Sequence, residues 1–391
     1  MLRRAGILAL ALAPLALAAG CGLGGGPAAT AAAGAAAAPV AARAADDRPP
    51  APSPRPLRVT VVTGGDLLIH RPISDRAAQL AGGRGYDFAP MLAPLRRYVA
   101  GADLAICHLE VPLTSRPPSG FPLFNAPPAL ARALRATGWD ACTTASNHTL
   151  DQGAAGVAET VAALDRAGLR HTGAFATARG AQRTLLLDVR GARVALLAYT
   201  TTTNGIPLPR PWSVNLADPA RIARDARRAR RRGADAVIVN LHWGDEYASA
   251  PSAAQRALAR RLAREPAITA IVGQHAHVVQ PIRWVGRLPV VFGAGNLISN
   301  QTPACCAPGS QDGLLARLHL VVDRRRPRRT RVTAIRYVPI WVRHPDYAVL
   351  PVGDGLRRGL ADRGQLRASW ARTVAVAGRG PRVTPLPERL R

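Results

Sequence analysis

The chain has 391 residues, of which 48% are hydrophobic and 4% aromatic, so Leu, Val, Ile and Ala must fill any core, within one large domain or two smaller ones. Its 52 basic residues are all arginine and face 24 acidic ones, a formal charge of +28 that suits either a polyanion partner or the solvated faces of an Arg- and Ala-biased chain. Clusters such as Arg227–Arg232 and Arg324–Arg329 fit helix ends and hairpin tips, and no basic stretch is interleaved with aromatics, which counts against nucleic acid.

At the N-terminus, Arg3 and Arg4 precede an apolar run, Ala5 to Ala19, too short to span a bilayer and patterned as a secretory signal over residues 1–21. Its Ala18-Ala19-Gly20-Cys21 ending is lipobox-like, so Cys21 would carry a lipid and anchor the protein outside the membrane; cleavage and secretion is the alternative. Residues 22–56, rich in Ala, Gly and Pro, read as a disordered tether. Val59–Thr63 is a strand leading to Gly64-Gly65-Asp66. Pro90–Ala100 reads as a helix and Leu104–Leu109 as a strand ending in Glu110. A helix over Ala129–Ala136 precedes the strand Ala141–Ala145, which opens onto Ser146-Asn147-His148. The helix Ala154–Ala167 ends at Gly168. Thr184–Val189 and Val194–Tyr199 form a hairpin around Gly191. Pro219–Arg232 is a basic helix, and Ala236–Leu241 is a strand running into His242-Trp243-Gly244-Asp245-Glu246-Tyr247. After the helix Ser252–Arg264, the strand Ile268–Val272 ends at Gly273-Gln274-His275-Ala276-His277. Val290–Phe292 leads to Gly295-Asn296, followed by late strands at Leu314–Val322 and Arg331–Val338. A domain over 57–345 and a peripheral tail over 346–391 are expected. Cys107 and Cys142 sit in apolar strands, as small hydrophobes or as a pair if those strands are neighbours; the adjacent Cys305 and Cys306 lack zinc-knuckle spacing.

Strand and helix alternate early and hairpins follow late, which predicts an α/β sandwich with mixed sheets. Asp66, Glu110, Asn147-His148, His242, His275 with His277, and Asn296 each follow a hydrophobic strand. Such ends converge on one edge of an open sheet. They form an O/N donor set without thiolate, suited to manganese, iron or zinc. A divalent ion there would polarise a phosphoryl oxygen and lower the pKa of bound water. His148 is placed to donate a proton, with Asp151 or Asp245 holding its tautomer. Arg71 and Trp243 are candidates for substrate contact, by ion pairing and by ring stacking, against bland readings as a solvated arginine and a packing wall.

Together Gly65-Asp66, His108-Leu109-Glu110-Val111-Pro112-Leu113-Thr114, Ser146-Asn147-His148 through Asp151 and Gly153, His242 to Tyr247, His275-Ala276-His277 and Gly295-Asn296 resemble the CapA-type poly-γ-glutamate capsule synthesis proteins, similar in turn to calcineurin-like metallophosphoesterases. The resemblance covers about residues 57–300 and implies a four-layer αββα sandwich with one or two divalent ions at a sheet edge. It implies Asp66, Glu110, Asn147, His242, His275 and His277 as metal ligands and His148 as the acid beside them; the residues themselves add Asp151 as its orienter and Arg71, Trp243, Glu246 and Asn296 toward substrate. The superfamily's Asp-x-His start would put histidine at position 68, where this chain has Leu68; His70 lies further on. The implied function is making or exporting an anionic polymer such as poly-γ-glutamate beside capsule-synthesis membrane proteins. An envelope phosphoesterase unrelated to capsule and a non-catalytic polyanion-binding assembly subunit are the alternatives.

Overall fold

The computed structural model describes residues 56–387 and residue 389, so the expected export signal, Cys21 and all of the tether but Pro56 lie outside the described residues. In chain order, β1 (Leu57–Leu67), α1 (Arg71–Leu80), α2 (Ala89–Leu92), α3 (Arg96–Val99), β2 (Leu104–Leu109), α4 (Ala129–Thr137), β3 (Ala141–Thr143), α5 (Gly153–Arg166) and β4 (Arg170–Thr172) build the first half. Then come α6 (Ala178–Ala181), β5 (Leu185–Val189), β6 (Ala192–Thr200), α7 (Pro219–Arg231), β7 (Ala236–His242), α8 (Ala253–Leu262) and β8 (Ala270–Gln274). The last third holds β9 (Ile282–Val285), β10 (Leu288–Val291), β11 (Asn296–Ile298), β12 (Asp312–Val322), β13 (Arg331–Val342), β14 (Val349–Pro351), α9 (Val352–Arg358), α10 (Arg363–Ala377) and β15 (Val383–Pro385).

The strands form two sheets. A nine-stranded sheet runs β14-β13-β12-β1-β2-β3-β4, with β11 on β1 and β15 on β13; a six-stranded one runs β5-β6-β7-β8-β10-β9. Three apolar layers bind the four structural layers. Leu67, Leu109 and Leu297 face Ile73, Leu92, Leu130 and Leu164 of the first helices. Val61, Ile106 and Leu318 of the large sheet meet Val194, Ile238 and Val272 of the small one. Val237, Val239 and Ile271 pack under Ile222 and Ala226 of α7 and Leu262 of α8. This is the expected αββα sandwich. The central strands β2, β7 and β8 read as near-continuous apolar runs because both faces of each are covered.

Local signals set the helices. Asp218 caps α7 by accepting from the Arg221 amide, with Pro219 in the first turn, and Ser252 with Gln255 forms a full capping box on α8. Each such cap contributes about 1 kcal/mol. The helix expected over Pro90–Ala100 is broken into α2, a 3-10 turn at Ala93–Leu95, and α3, because Pro94 lacks the amide an unbroken helix would need there. Of residues 346–391, expected as a peripheral tail, the described segments Val349–Pro351 and Val383–Pro385 are built into the large sheet instead, as β14 and β15, both pairing with β13. Ala377 of α10 and Val383 of β15 enter the layer between the sheets, which is the reason this segment docks. Cys107 and Cys142 are register partners on β2 and β3 and form a buried disulfide. No helix among the described residues is long and apolar enough to cross a membrane.

Candidate metal centre

β1, β2 and β3 run parallel, as do β7 and β8, so their carboxyl ends open on one side. Asp66 lies at the end of β1, His108 and Glu110 at the end of β2, Asn147 and His148 just past β3, His242 at the end of β7, and His275 and His277 just past β8. β11 approaches β1 closely enough that the Asp66 amide donates to the Gly295 carbonyl at 3.0 Å. A Cβ on Gly65 would fall 1.9 Å from that carbonyl oxygen, so glycine is required where the two strands meet.

The centre is buried and crowded with acceptors. Asp66, His108, Glu110, Asn147, His242 and His277 are each at most 2% exposed. The His277 Nδ1 lies 3.2 Å from an Asp66 oxygen and its Nε2 3.6 Å from Glu110, which in turn is 3.7 Å from the His242 Nε2. Both Glu110 oxygens and the His275 Nδ1 are buried without a hydrogen-bond partner. A carboxylate is not left so in a stable interior without compensation. Burial, foremost, pushes the Glu110 carboxyl well above its usual range.

Tautomers sharpen the point. The Thr143 hydroxyl donates to the Cys107 carbonyl, so it accepts from the His108 Nδ1 at 2.8 Å. The His108 Nε2 is then an acceptor, and the His242 Nδ1 donates to it at 2.9 Å. That leaves the His242 Nε2 as a lone pair facing the Asn147 Oδ1 at 2.8 Å, acceptor against acceptor. Burial holds His108 down at about 4 and His242 well below its usual range, so neither supplies a proton to relieve the clash. A cation between donor atoms of this kind resolves it. The donor set fits a divalent metal: Asp66, Glu110 and His277 converge, as do Asp66, His108 and His242; Glu110, His242 and His275; and Glu246, His275 and His277.

Each expected residue has a definite place. Asp66, Glu110, His242, His275 and His277 come together in these groups, and Asn147 touches His242. His275 and His277 both have left-handed backbone, at φ 95° and 55°, a cost of order 1–3 kcal/mol each that aims both rings inward. The His148 Nδ1 bonds Asp151 at 2.8 Å, and the same oxygen accepts the Phe124 amide at 2.7 Å. Asp245, the other candidate orienter, is exposed. Glu246 is exposed at the rim. Arg71 lies outside the acceptor cluster and is exposed, with its Nε on Asp75 at 2.7 Å.

Two expected substrate contacts are corrected. Trp243 is 1% exposed; its ring stacks on Phe292 and its indole N–H donates to the Phe292 carbonyl at 2.9 Å, so the strand alternation turns it into the outer core away from the centre. Asn296 is fully buried. Its amide donates to the carbonyls of His277 and Ser310 and to Gln301, which turns its Oδ1 toward the His277 Nδ1 at 3.1 Å. It therefore orients a histidine rather than meeting substrate. Sequence reasoning left His108 unassigned. Its period-2 relation to Glu110 was the available signal. Leu68 lies in the apolar core, and His70 packs its ring edge on Phe124 outside the donor groups.

A family model described as bacterial capsule synthesis protein PGA_cap matches residues 60–301, and the chain belongs to that family. It is 24% identical to the capsule biosynthesis protein CapA of Bacillus anthracis over 62% of this chain and 60% of that one. It is 27% identical to a probable polyglutamine synthesis accessory protein of Mycobacterium tuberculosis over 62% of this chain and 74% of that one. The chain thus spans about three-fifths of the length of the Bacillus anthracis relative. Among solved structures, a calcineurin-like phosphoesterase from Bacillus subtilis is similar at 14% identity and a TM-score of 0.44, over 81% of this chain and 100% of that one.

Proposed function

We propose that this member of the PGA_cap family is an exported, Cys21-lipidated capsule-synthesis protein that works on an anionic surface polymer of the poly-γ-glutamate class, or on a phosphoester used in making it. The observation behind the reading is the buried Glu110 carboxylate, without a hydrogen-bond partner and set among Asp66, His242 and His277. Asp66, Glu110, Asn147, His242, His275 and His277 would hold one or two ions of manganese, iron or zinc, with His108 added to the set and Glu246 at its rim. A bound ion of this kind supplies Lewis-acid polarisation and a water of lowered pKa.

The chain's own residues supply the rest. Asp151 accepts the Nδ1–H of His148, so in the doubly protonated ring the second proton, on Nε2, is the one handed to a leaving oxygen. Asn296 fixes His277 in the same way. Phe124 packs its ring edge on His148 at 4.6 Å and shields that proton from water on one side.

The test is elemental analysis of purified full-length protein, with activity assays on an aryl phosphate and on poly-γ-glutamate of defined length. Wild-type protein is expected to retain a divalent transition metal, and Asp66→Ala and His242→Ala to lose it together with any hydrolysis. Protein that takes up no divalent metal from manganese, iron or zinc solutions would sink the metal reading. Metal retained without hydrolysis of either substrate would favour the assembly-subunit alternative.

A further inference from the structure

Cys305 and Cys306 stand in a tight turn after β11. The amides of both donate to the Thr302 carbonyl, at 3.2 and 3.1 Å, which brings the two sulfurs to 2.6 Å. Cys305 is exposed and Cys306 half-buried. The pair is wired to the candidate centre. Thr302, whose carbonyl takes both cysteine amides, directly follows Gln301, and the Gln301 side chain donates to the Tyr247 hydroxyl at 3.0 Å. Gln301 accepts from Asn296 at 2.9 Å, and Asn296 holds the His277 Nδ1 at 3.1 Å. Tyr247 also ties its amide to the Ala276 carbonyl, between the two loop histidines, at 2.7 Å, and its ring lies 6.1 Å from that of His277.

We infer that Cys305 and Cys306 form a redox-active vicinal dithiol that closes to a disulfide by exchange with a small-molecule disulfide, and that closure weakens metal binding by releasing the Tyr247–Gln301–Asn296 support of His277. The reaction balances as thiol–disulfide exchange. The Cys305 thiolate attacks the small disulfide, forming a mixed disulfide and expelling one thiolate. Cys306, as thiolate, then attacks the Cys305 sulfur and expels the second. The protein loses two protons and two electrons, and the small disulfide becomes two thiols. The exposed Cys305 suits the first step. Burial raises its thiol, but the Cys306 sulfhydryl and the Thr302 amide outweigh this and hold it below the usual range. The other described pair, Cys107 with Cys142, is already joined and is at most 1% exposed, so it stands outside the exchange.

The coupling rests on the metal reading above, whereas closure does not, and the experiment separates them. Full-length protein is gently reduced, desalted and treated with oxidised glutathione, and is followed by intact mass and peptide mapping. The expected 305–306 peptide has lost about 2 Da and keeps no glutathione, while in Cys306→Ser it stalls with glutathione on Cys305. A stable adduct on Cys305 or Cys306 of the wild type, or no reaction at either, overturns the proposal. Manganese affinity is then measured on both forms. The closed form is expected to bind about tenfold more weakly, the lower end of the effect of removing an outer partner of a ligand. The Cys305→Ser/Cys306→Ser variant should show one affinity whatever the redox treatment. Equal affinities in the two wild-type forms overturn the coupling. Closure with no manganese bound in either form overturns the metal reading instead.

Discussion

At the scale of single residues, the proton donor depends on one oxygen. The Asp151 Oδ2 accepts from the Phe124 amide and from the His148 Nδ1, while its Oδ1 is buried without a partner. Asparagine at this position has one oxygen for two donors. If the Phe124 amide keeps it, the NH₂ group faces the His148 Nδ1, where it cannot share the site with an N–H, and so excludes the doubly protonated ring that donation from Nε2 requires. Asp151→Asn is therefore expected to cut turnover on an aryl phosphate by about 10²-fold or more, the range for general acid catalysis, with metal content unchanged. Asp151→Ala should cost the same turnover and also loosen the Phe124 loop, which raises its hydrogen-exchange rate. Loss of metal from Asp151→Asn would mean that the aspartate serves the centre and not the histidine. The donor pair and its orienter were legible in Asn147-His148-Thr149-Leu150-Asp151, since a three-residue return turn lets i and i+3 meet. The positions of Trp243 and Asn296 were not. Whether a residue beside a ligand faces the site or the core depends on the pleat of its strand, which the sequence leaves open by one residue.

Among elements, β2 and β3 carry the centre and are also covalently joined. Their cysteines, 35 residues apart, sit in register one residue before His108 and Thr143, which hydrogen-bond each other at 2.8 Å. Closing a loop of that length removes unfolded-chain entropy worth about 2–4 kcal/mol. Cys107→Ala/Cys142→Ala should thus lower the urea midpoint by that stability, with the fold and the metal content retained. An unchanged midpoint would mean that the bond is open in the purified protein. Long apolar runs with a glycine or polar end announced β1, β2, β7 and β8, and so the edge that holds the centre. Short elements did not show. β11 has three residues and owes its place to the passage of Gly65 beside Gly295, and β14 and β15 exist only because β13 is long enough to pair with both. Such strands are made by tertiary pairing, with no period of their own to read.

For the whole molecule the question is where the charge of +28 acts. The candidate centre is itself acidic and histidine-rich, so it is not the polyanion surface. Part of the arginine excess is spent internally: Arg230 donates to the carbonyls of Ala267 and Asp235 and to Thr269, and Arg227 pairs with Glu265. A different face keeps its charge. Two adjoining grooves share Pro94 and Arg358 and are lined by Arg76, Arg96, Arg97, Arg343 and Arg357, with Asp346 and Asp354 as the only acids among the described residues along them. Asp354 already pairs with both Arg97 and Arg357, and Asp346 with Arg343. Arginine at close spacing with carboxylates in short supply attracts a chain of carboxylates, and the attraction is screened over about 10 Å at 0.1 M salt. Labelled poly-γ-glutamate is therefore expected to bind the full-length protein at low salt and to release as salt rises. Arg96→Glu/Arg358→Glu should weaken binding at least tenfold and leave aryl phosphate hydrolysis as it was. The same reversals at Arg324 and Arg325, on the turn between β12 and β13, serve as a control of equal charge. If both double variants weaken binding equally, the polymer responds to net charge alone; a loss confined to the grooves assigns them as its track.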